Sequence, residues 1–286
     1  MPMTGSAIAG SAVVRSARAA RRRGWSWVLL LVPSVLCFLF LLLPPVALAW
    51  RALGIPNALA YAGDRFFLDA LRLTMVTSFV TVTTAVVLGT PLAYILARRR
   101  FPGRRLVELV VLLPVVLPPI IGGVALLMLF GRAGLLGHYL DAFGIQIPFT
   151  TLAVVLAQLF TSSPFYIRSV FLGFSNVARE VEEAARVDGC SPWQTFHHVT
   201  LRLALPSIVT GSMLCWAKAV SEFGATLLFA GNFQGRTQTL SLAIWTAMEI
   251  DLYEAVTMAA LLLGLSVLVL LVSEWLSSGA VRTVGE

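Results

Sequence analysis

Lys218 and Glu222 carry opposite charges four residues apart, inside a long apolar run of a 286-residue chain. Ionised side chains are costly in lipid, so such groups face the interior of a helix bundle or an aqueous path. Two readings stand. In one, the pair neutralises itself along a helix and is structural. In the other, Ser221, Glu222 and Thr226 line a path through the membrane or its gate, and Lys218, nearer the middle of the helix, attracts an anion.

Other chemistry is poorly served. A Walker A loop needs a lysine before Ser or Thr to reach the phosphates. The sole lysine, Lys218, lies between Ala217 and Ala219, so the chain cannot hold nucleotide that way. His138 is expected on the side opposite His197 and His198, and an adjacent pair points apart on a helix, so no metal site is expected. Cys37, Cys190 and Cys215 are far apart and read as small apolar fillers. No Ser/His/Asp or Cys/His arrangement suggests covalent catalysis. The expectation is a protein that is not an enzyme and holds no cofactor or metal.

The elements that must position these residues are membrane spans. The chain is 58% hydrophobic and 12% charged, with a mean hydropathy of +0.87. Apolar runs long enough to cross a bilayer recur along it. Six spans are expected, near residues 25–49, 70–97, 106–130, 150–172, 203–230 and 252–276. Pro33, Pro44, Pro91, Pro114, Pro118 and Pro119 fall within or at the ends of spans, where neighbouring helices can satisfy the freed backbone groups. The net charge of +7 lies beside the spans, as membrane topology distributes it, and does not point to nucleic acid. Arg15, Arg18, Arg21, Arg22 and Arg23 precede the first span, which reads as a retained span and not a signal peptide. Arg98, Arg99, Arg100, Arg104 and Arg105 join the second to the third. The positive-inside rule then puts both termini, residues 1–24 and the tail 277–286, in the cytoplasm of a cell-membrane protein.

One charged stretch interrupts the apolar runs, over residues 176–200 between the fourth and fifth spans. Val177, Val181, Ala184, Ala185 and Asp188 follow helical spacing as a mostly apolar stripe, with Arg179, Glu180, Glu182, Glu183 and Arg186 on the other faces. Gly189 stops this helix as a residue free to take positive φ. Ser191-Pro192-Trp193-Gln194 restarts one, with Ser as N-cap and Gln completing a capping box. Helix, sharp turn, helix on the cytoplasmic side reads as a docking surface for a soluble partner.

Glu183-Ala184-Ala185, three residues, then Gly189 resembles the EAA motif of ABC importer permeases, the membrane subunits of ATP-driven uptake systems. That motif continues with Ile-x-Leu-Pro. Here the stretch is Val199-Thr200-Leu201-Arg202, with Arg for the final Pro and Leu205-Pro206 close behind. The resemblance covers roughly residues 70–275. It implies an all-α membrane protein with the type I ABC importer transmembrane fold, its domain spanning residues 70–276. Residues Glu183, Ala184, Ala185 and Gly189 then belong to a coupling helix seated in a partner ATPase subunit, which holds ATP and Mg. The resemblance also implies a homodimer, two ATPase copies and an extracytoplasmic oxyanion-binding protein.

The segment from Ser221 to Trp245 contains Glu222-Phe-Gly-Ala-Thr226, Ala230-Gly-Asn232 and Gly235-Arg-Thr-Gln-Thr-Leu240. It is similar to the same stretch of molybdate permeases, so import of molybdate is expected. Sulfate, thiosulfate or tungstate permeases are the alternatives. An ion-gradient-driven carrier would more often show several intramembrane carboxylates, and Glu222 is the only acid well within a span. A membrane-embedded enzyme is disfavoured for want of a catalytic constellation.

Overall fold

A computed structural model describes the backbone of residues 6–56 and 58–284, and side chains mainly over residues 29–271. The first five residues of the basic N-terminal segment and the last two of the tail lie outside the described residues. So do the side chains of the five N-terminal arginines and Arg282. Every regular element among the described residues is helical.

The chain divides into two units, Met1–Gly54 and Ile55–Glu286. The first is a single helix, α1 (Ser6–Leu53), continuous through the basic segment and the apolar run, with Pro33, Pro44 and Pro45 inside it. Its stretch Leu29–Leu53, 25 residues long, contains an 18-residue window with a mean hydropathy of 2.5, ample for a hydrocarbon core.

The second unit comprises α2 (Ala58–Ala62), α3 (Arg65–Arg98), α4 (Arg104–Val116), α5 (Pro119–Phe130), α6 (Gly137–Ala142), α7 (Thr151–Asn176), α8 (Arg179–Val187), α9 (Pro192–Thr195), α10 (Leu201–Val220), α11 (Gly224–Ala230), α12 (Leu240–Ile250) and α13 (Leu252–Val284). At its centre is α7, packed along α3 and α10 and touching α4, α5 and α11. That position explains its composition. Gln158, Thr161 and Ser162 are buried. Ser162 Oγ donates to Gln158 O at 2.6 Å, Thr161 Oγ1 donates to Ala157 O at 3.2 Å, and Thr81 Oγ1 of α3 donates to Gln158 Oε1 at 3.1 Å. A helix covered by its neighbours can carry such groups where a lipid-facing one cannot.

Ala85, Ala93, Tyr166, Val170, Phe174, Ala204 and Cys215 form the core where α3, α7 and α10 meet. The backbones of α7 and α10 approach closely there. A Cβ added to Gly211 would lie 2.9 Å from Ser169 Cβ, and Ser169 Oγ donates to Ser207 O at 2.9 Å. Small residues with cross-helix hydrogen bonds are how helices associate when lipid supplies no hydrophobic contrast. All three cysteines are free, and Cys215 is wholly buried as the filler reading expects.

Two expected spans are not continuous helices. The run 106–130 is bent by 116° between α4 and α5. Leu117 precedes Pro118 and is extended, with ψ 134. Proline drives its predecessor out of the helical region and brings no N–H to rejoin the ladder. The prolines inside α1, α3 and α4 are absorbed as expected; the Pro118-Pro119 pair is not. The run 203–230 begins earlier, in a helix continuous from Pro192 to Val220. It then breaks over residues 221–223 before α11. The tail beyond residue 276 is helical to Val284, as a continuation of α13.

Among the described residues, four helices are long and apolar enough to cross a membrane, and the bent α4–α5 pair makes a fifth if it is one span.

Candidate functional site

The charged stretch folds as a hairpin of two helices. Val177 is extended and buried, and α8 follows it directly. The helix ends at Gly189, whose φ is +91. Gly189 N–H donates to Arg186 O at 3.1 Å and Cys190 N–H to Ala185 O at 3.0 Å, the paired bonds of a Schellman stop. An L-residue with a side chain would be strained at that φ. Ser191 Oγ then accepts from Gln194 N–H at 3.3 Å, and Ser191 N–H donates to Gln194 Oε1 at 2.8 Å. With Pro192 at the first helical position this is the expected capping box. No turn follows at Arg202. A π-helical segment, Phe196–Thr200, carries α9 into α10 without a break. This register brings His197 and His198 together, with ring centroids 5.0 Å apart, where sequence spacing has them diverge.

The stripe of α8 lies largely at the surface, and one residue expected on its charged faces, Glu182, does not. Val181 and Val187 are 45% and 87% exposed, Ala184 is exposed and Ala185 half-buried. The buried side chain is Glu182. Its Oε1 accepts from Arg98 Nη2 at 2.8 Å and from Thr200 Oγ1 at 2.7 Å. Arg98 Nη2 also donates to Val177 O at 3.0 Å. The two charged side chains are only 10% and 9% exposed, so burial is compensated by pairing and geometry. One carboxylate thus ties α8 to the end of α3 and to the π-helical segment. Arg98, expected to be a topology charge, is a structural anchor, and sequence spacing misses both partners.

Anchored this way, the hairpin turns Val181, Ala184, Val187 and Trp193 outward, with Trp193 70% exposed. Glu183 and Gly189 are exposed beside them. An apolar strip on an otherwise charged element is what a protein contact requires.

Lys218 lies in the last turn of α10, not near the middle of a span. Its Nζ donates to Glu222 Oε2 at 3.0 Å. Glu222 is fully buried, and its Oε1 accepts from Ala225 N–H at 3.0 Å. The carboxylate therefore satisfies the start of α11 as well as the lysine. Ser221 is exposed, with its Oγ donating to Lys218 O at 3.1 Å. Thr226 is buried and its hydroxyl has no partner. Three of the four expected path residues thus meet at the break in the helix, and Thr226 follows in the first turn of α11.

The segment after α11 is tied down by its own polar residues. Phe233 N–H donates to Thr237 Oγ1 at 3.0 Å, Asn232 Nδ2 to Thr246 Oγ1 at 2.9 Å, and Leu240 N–H to Thr74 Oγ1 of α3 at 2.7 Å. The Gly-Arg-Thr-Gln-Thr-Leu pattern therefore has a folding role. Among the described residues, no three His, Cys, Asp or Glu side chains are grouped so that they could hold a metal ion.

Several long apolar helices around a polar-lined central helix, with an anchored amphipathic hairpin, define a multi-pass membrane transport subunit. The chain belongs to the family of binding-protein-dependent transport system inner membrane components, whose profile matches residues 89–279. It is 41% identical over 245 residues to the molybdenum transport system permease protein ModB of Mycobacterium tuberculosis, covering 86% of this chain and 92% of that one. It is 35% identical over 236 residues to the sulfate transport system permease protein CysW of Synechocystis, covering 82% and 86%. Its fold matches a chain of a bacterial alginate ABC transporter crystallised with an alginate-bound periplasmic protein. That TM-score is 0.71 at 17% identity, over 92% of this chain and 96% of that one.

Proposed function

We propose that this chain is the permease subunit of an ATP-driven importer carrying molybdate into the cytoplasm, working as a homodimer with two ATPase subunits and an extracytoplasmic oxyanion-binding protein. In this reading six segments cross the membrane. The bent α4–α5 pair is one of them, and α7, shielded by its neighbours, is another. Both termini and the α8–α9 hairpin lie in the cytoplasm. The hairpin is the coupling element, with Glu183, Ala184, Ala185 and Gly189 at its contact with the ATPase. ATP and Mg reside on that partner. Closure of the ATPase dimer moves the hairpin, and the anchor through Glu182 passes the movement to α3 and α10.

The observation that carries this reading is the rigidly held hairpin with its apolar side facing outward. The molybdenum permease relative supports the choice of substrate. The test is co-reconstitution with the ATPase and binding protein in proteoliposomes, measuring molybdate uptake and ATP hydrolysis together. Gly189→Val and Glu183→Arg should leave insertion intact and separate hydrolysis from uptake. Unchanged uptake in both variants refutes the coupling role. Excess sulfate abolishing molybdate uptake would favour the sulfate reading that the CysW relative supports.

A further inference from the structure

Between the end of α3 and one side of α8 lies a cleft of about 240 Å³, lined by Tyr94, Arg98, Arg99, Arg179, Glu182, Glu183 and Arg186. Four arginines face two glutamates, a surplus of two positive charges. The only ion pair among these described residues is Arg98 with Glu182. Arg99, Arg179 and Arg186 are exposed and make no ion pair among the described residues. Arg98 supplies an independent observation. Its side chain is nine-tenths buried, yet its Nε is a buried donor with no acceptor. A buried guanidinium N–H without a partner is an unmet demand for an oxygen ligand. Arg179 adds to it as the first residue of α8, a helix that starts without a side-chain cap. The first turn of α8 carries Glu180 and Glu182 as its own negative charge, so the demand for a further anion comes from the surplus of arginines lining the cleft.

We propose that this cleft is an anion site for a tetrahedral oxyanion group of the phosphate class. The planar, fork-like donors of arginine suit such a group, and a dianion balances the surplus charge. Bound there, it would bridge Arg98 at the end of α3 and Arg99 just after it with Arg179 and Arg186 of α8, strengthening the hold on the hairpin. The ligand chemistry is shared by free phosphate and by the headgroup of an anionic phospholipid. The site rests on side-chain geometry alone and does not depend on the transport reading.

The test is equilibrium dialysis of radiolabelled inorganic phosphate against the purified full chain in phosphatidylcholine nanodiscs. Saturable binding of one phosphate per chain is expected, weakened about tenfold by Arg179→Gln and by Arg186→Gln. Arg186→Lys should keep most of the affinity. Both positions are exposed, so the fold survives these changes. Repeating the assay with phosphatidylglycerol in the disc separates the sources: displaced phosphate marks the headgroup as ligand, and undisplaced phosphate marks the free anion. Absence of saturable binding, or binding indifferent to both Gln variants, overturns the site. Loss only of ATPase capture by these variants, without phosphate binding, identifies a protein contact and also overturns it. Uptake by the reconstituted importer reads the transport proposal separately.

Discussion

Glu182→Ala should loosen the hairpin far more than any substitution on its exposed face. The change deletes two charge-assisted hydrogen bonds, from Arg98 at 2.8 Å and from Thr200 at 2.7 Å. Each contributes about 1.5–3 kcal/mol where the groups are shielded from water. It also strands a guanidinium that is 10% exposed and already has one unsatisfied N–H. Removing one member of a buried ion pair costs about 3–5 kcal/mol, in agreement with the bond-by-bond figure. If the hairpin opens locally, about 3 kcal/mol raises its opening equilibrium by over a hundredfold. Hydrogen exchange of the α8 amides in detergent measures this directly. Arg98→Met should be about as damaging. The double variant Arg98→Met with Glu182→Leu should return to within about 1–2 kcal/mol of the parent, since an apolar pair strands no charge. Exchange in Glu182→Ala within about threefold of the parent would refute the anchor. So would a double variant whose effect equals the sum of the singles.

Glu222→Ala should destabilise the junction of α10 and α11 by about 2–3 kcal/mol, because it orphans both Lys218 Nζ and Ala225 N–H. Glu222→Gln keeps an acceptor and should cost less; denaturation in mixed micelles checks the order. Ser191→Ala removes the acceptor for Gln194 N–H and should cost about 1 kcal/mol, seen as faster exchange confined to α9. Gly189→Val forces a side chain onto a residue at φ +91, with a local cost of about 1–2 kcal/mol at the hairpin bend. Gly211→Val pushes a side chain into Ser169 and should lower the thermal stability of the whole α7–α10 pair, by about 1–3 kcal/mol. Unaltered melting of that variant would show that the close approach is dispensable.

The features that could be read from the chain are those whose hydrogen-bond partners are neighbours in sequence. The stop at Gly189 and the restart at Ser191-Pro192-Trp193-Gln194 each satisfy themselves within a few residues, and both appear in the structure as expected. The Lys218–Glu222 pair is likewise local, and it forms. Its second function, serving the start of α11, was hidden because the apolar run from 203 to 230 reads as one uninterrupted helix. Pro118 and Pro119 stand openly in the sequence. Whether a proline bends a membrane helix depends on what the surrounding helices can offer the freed carbonyls, so their effect differs from that of Pro91, inside α3.

Sequence alone determined that this chain is a helical membrane protein and that one charged hairpin interrupts its apolar runs, because hydropathy and caps act over single turns. Tertiary structure decided which way the hairpin faces. Glu182 meets a guanidinium 84 residues away, and a buried charge must follow its partner. That requirement rotates the apolar strip of α8 outward, against the usual rule that apolar faces turn inward.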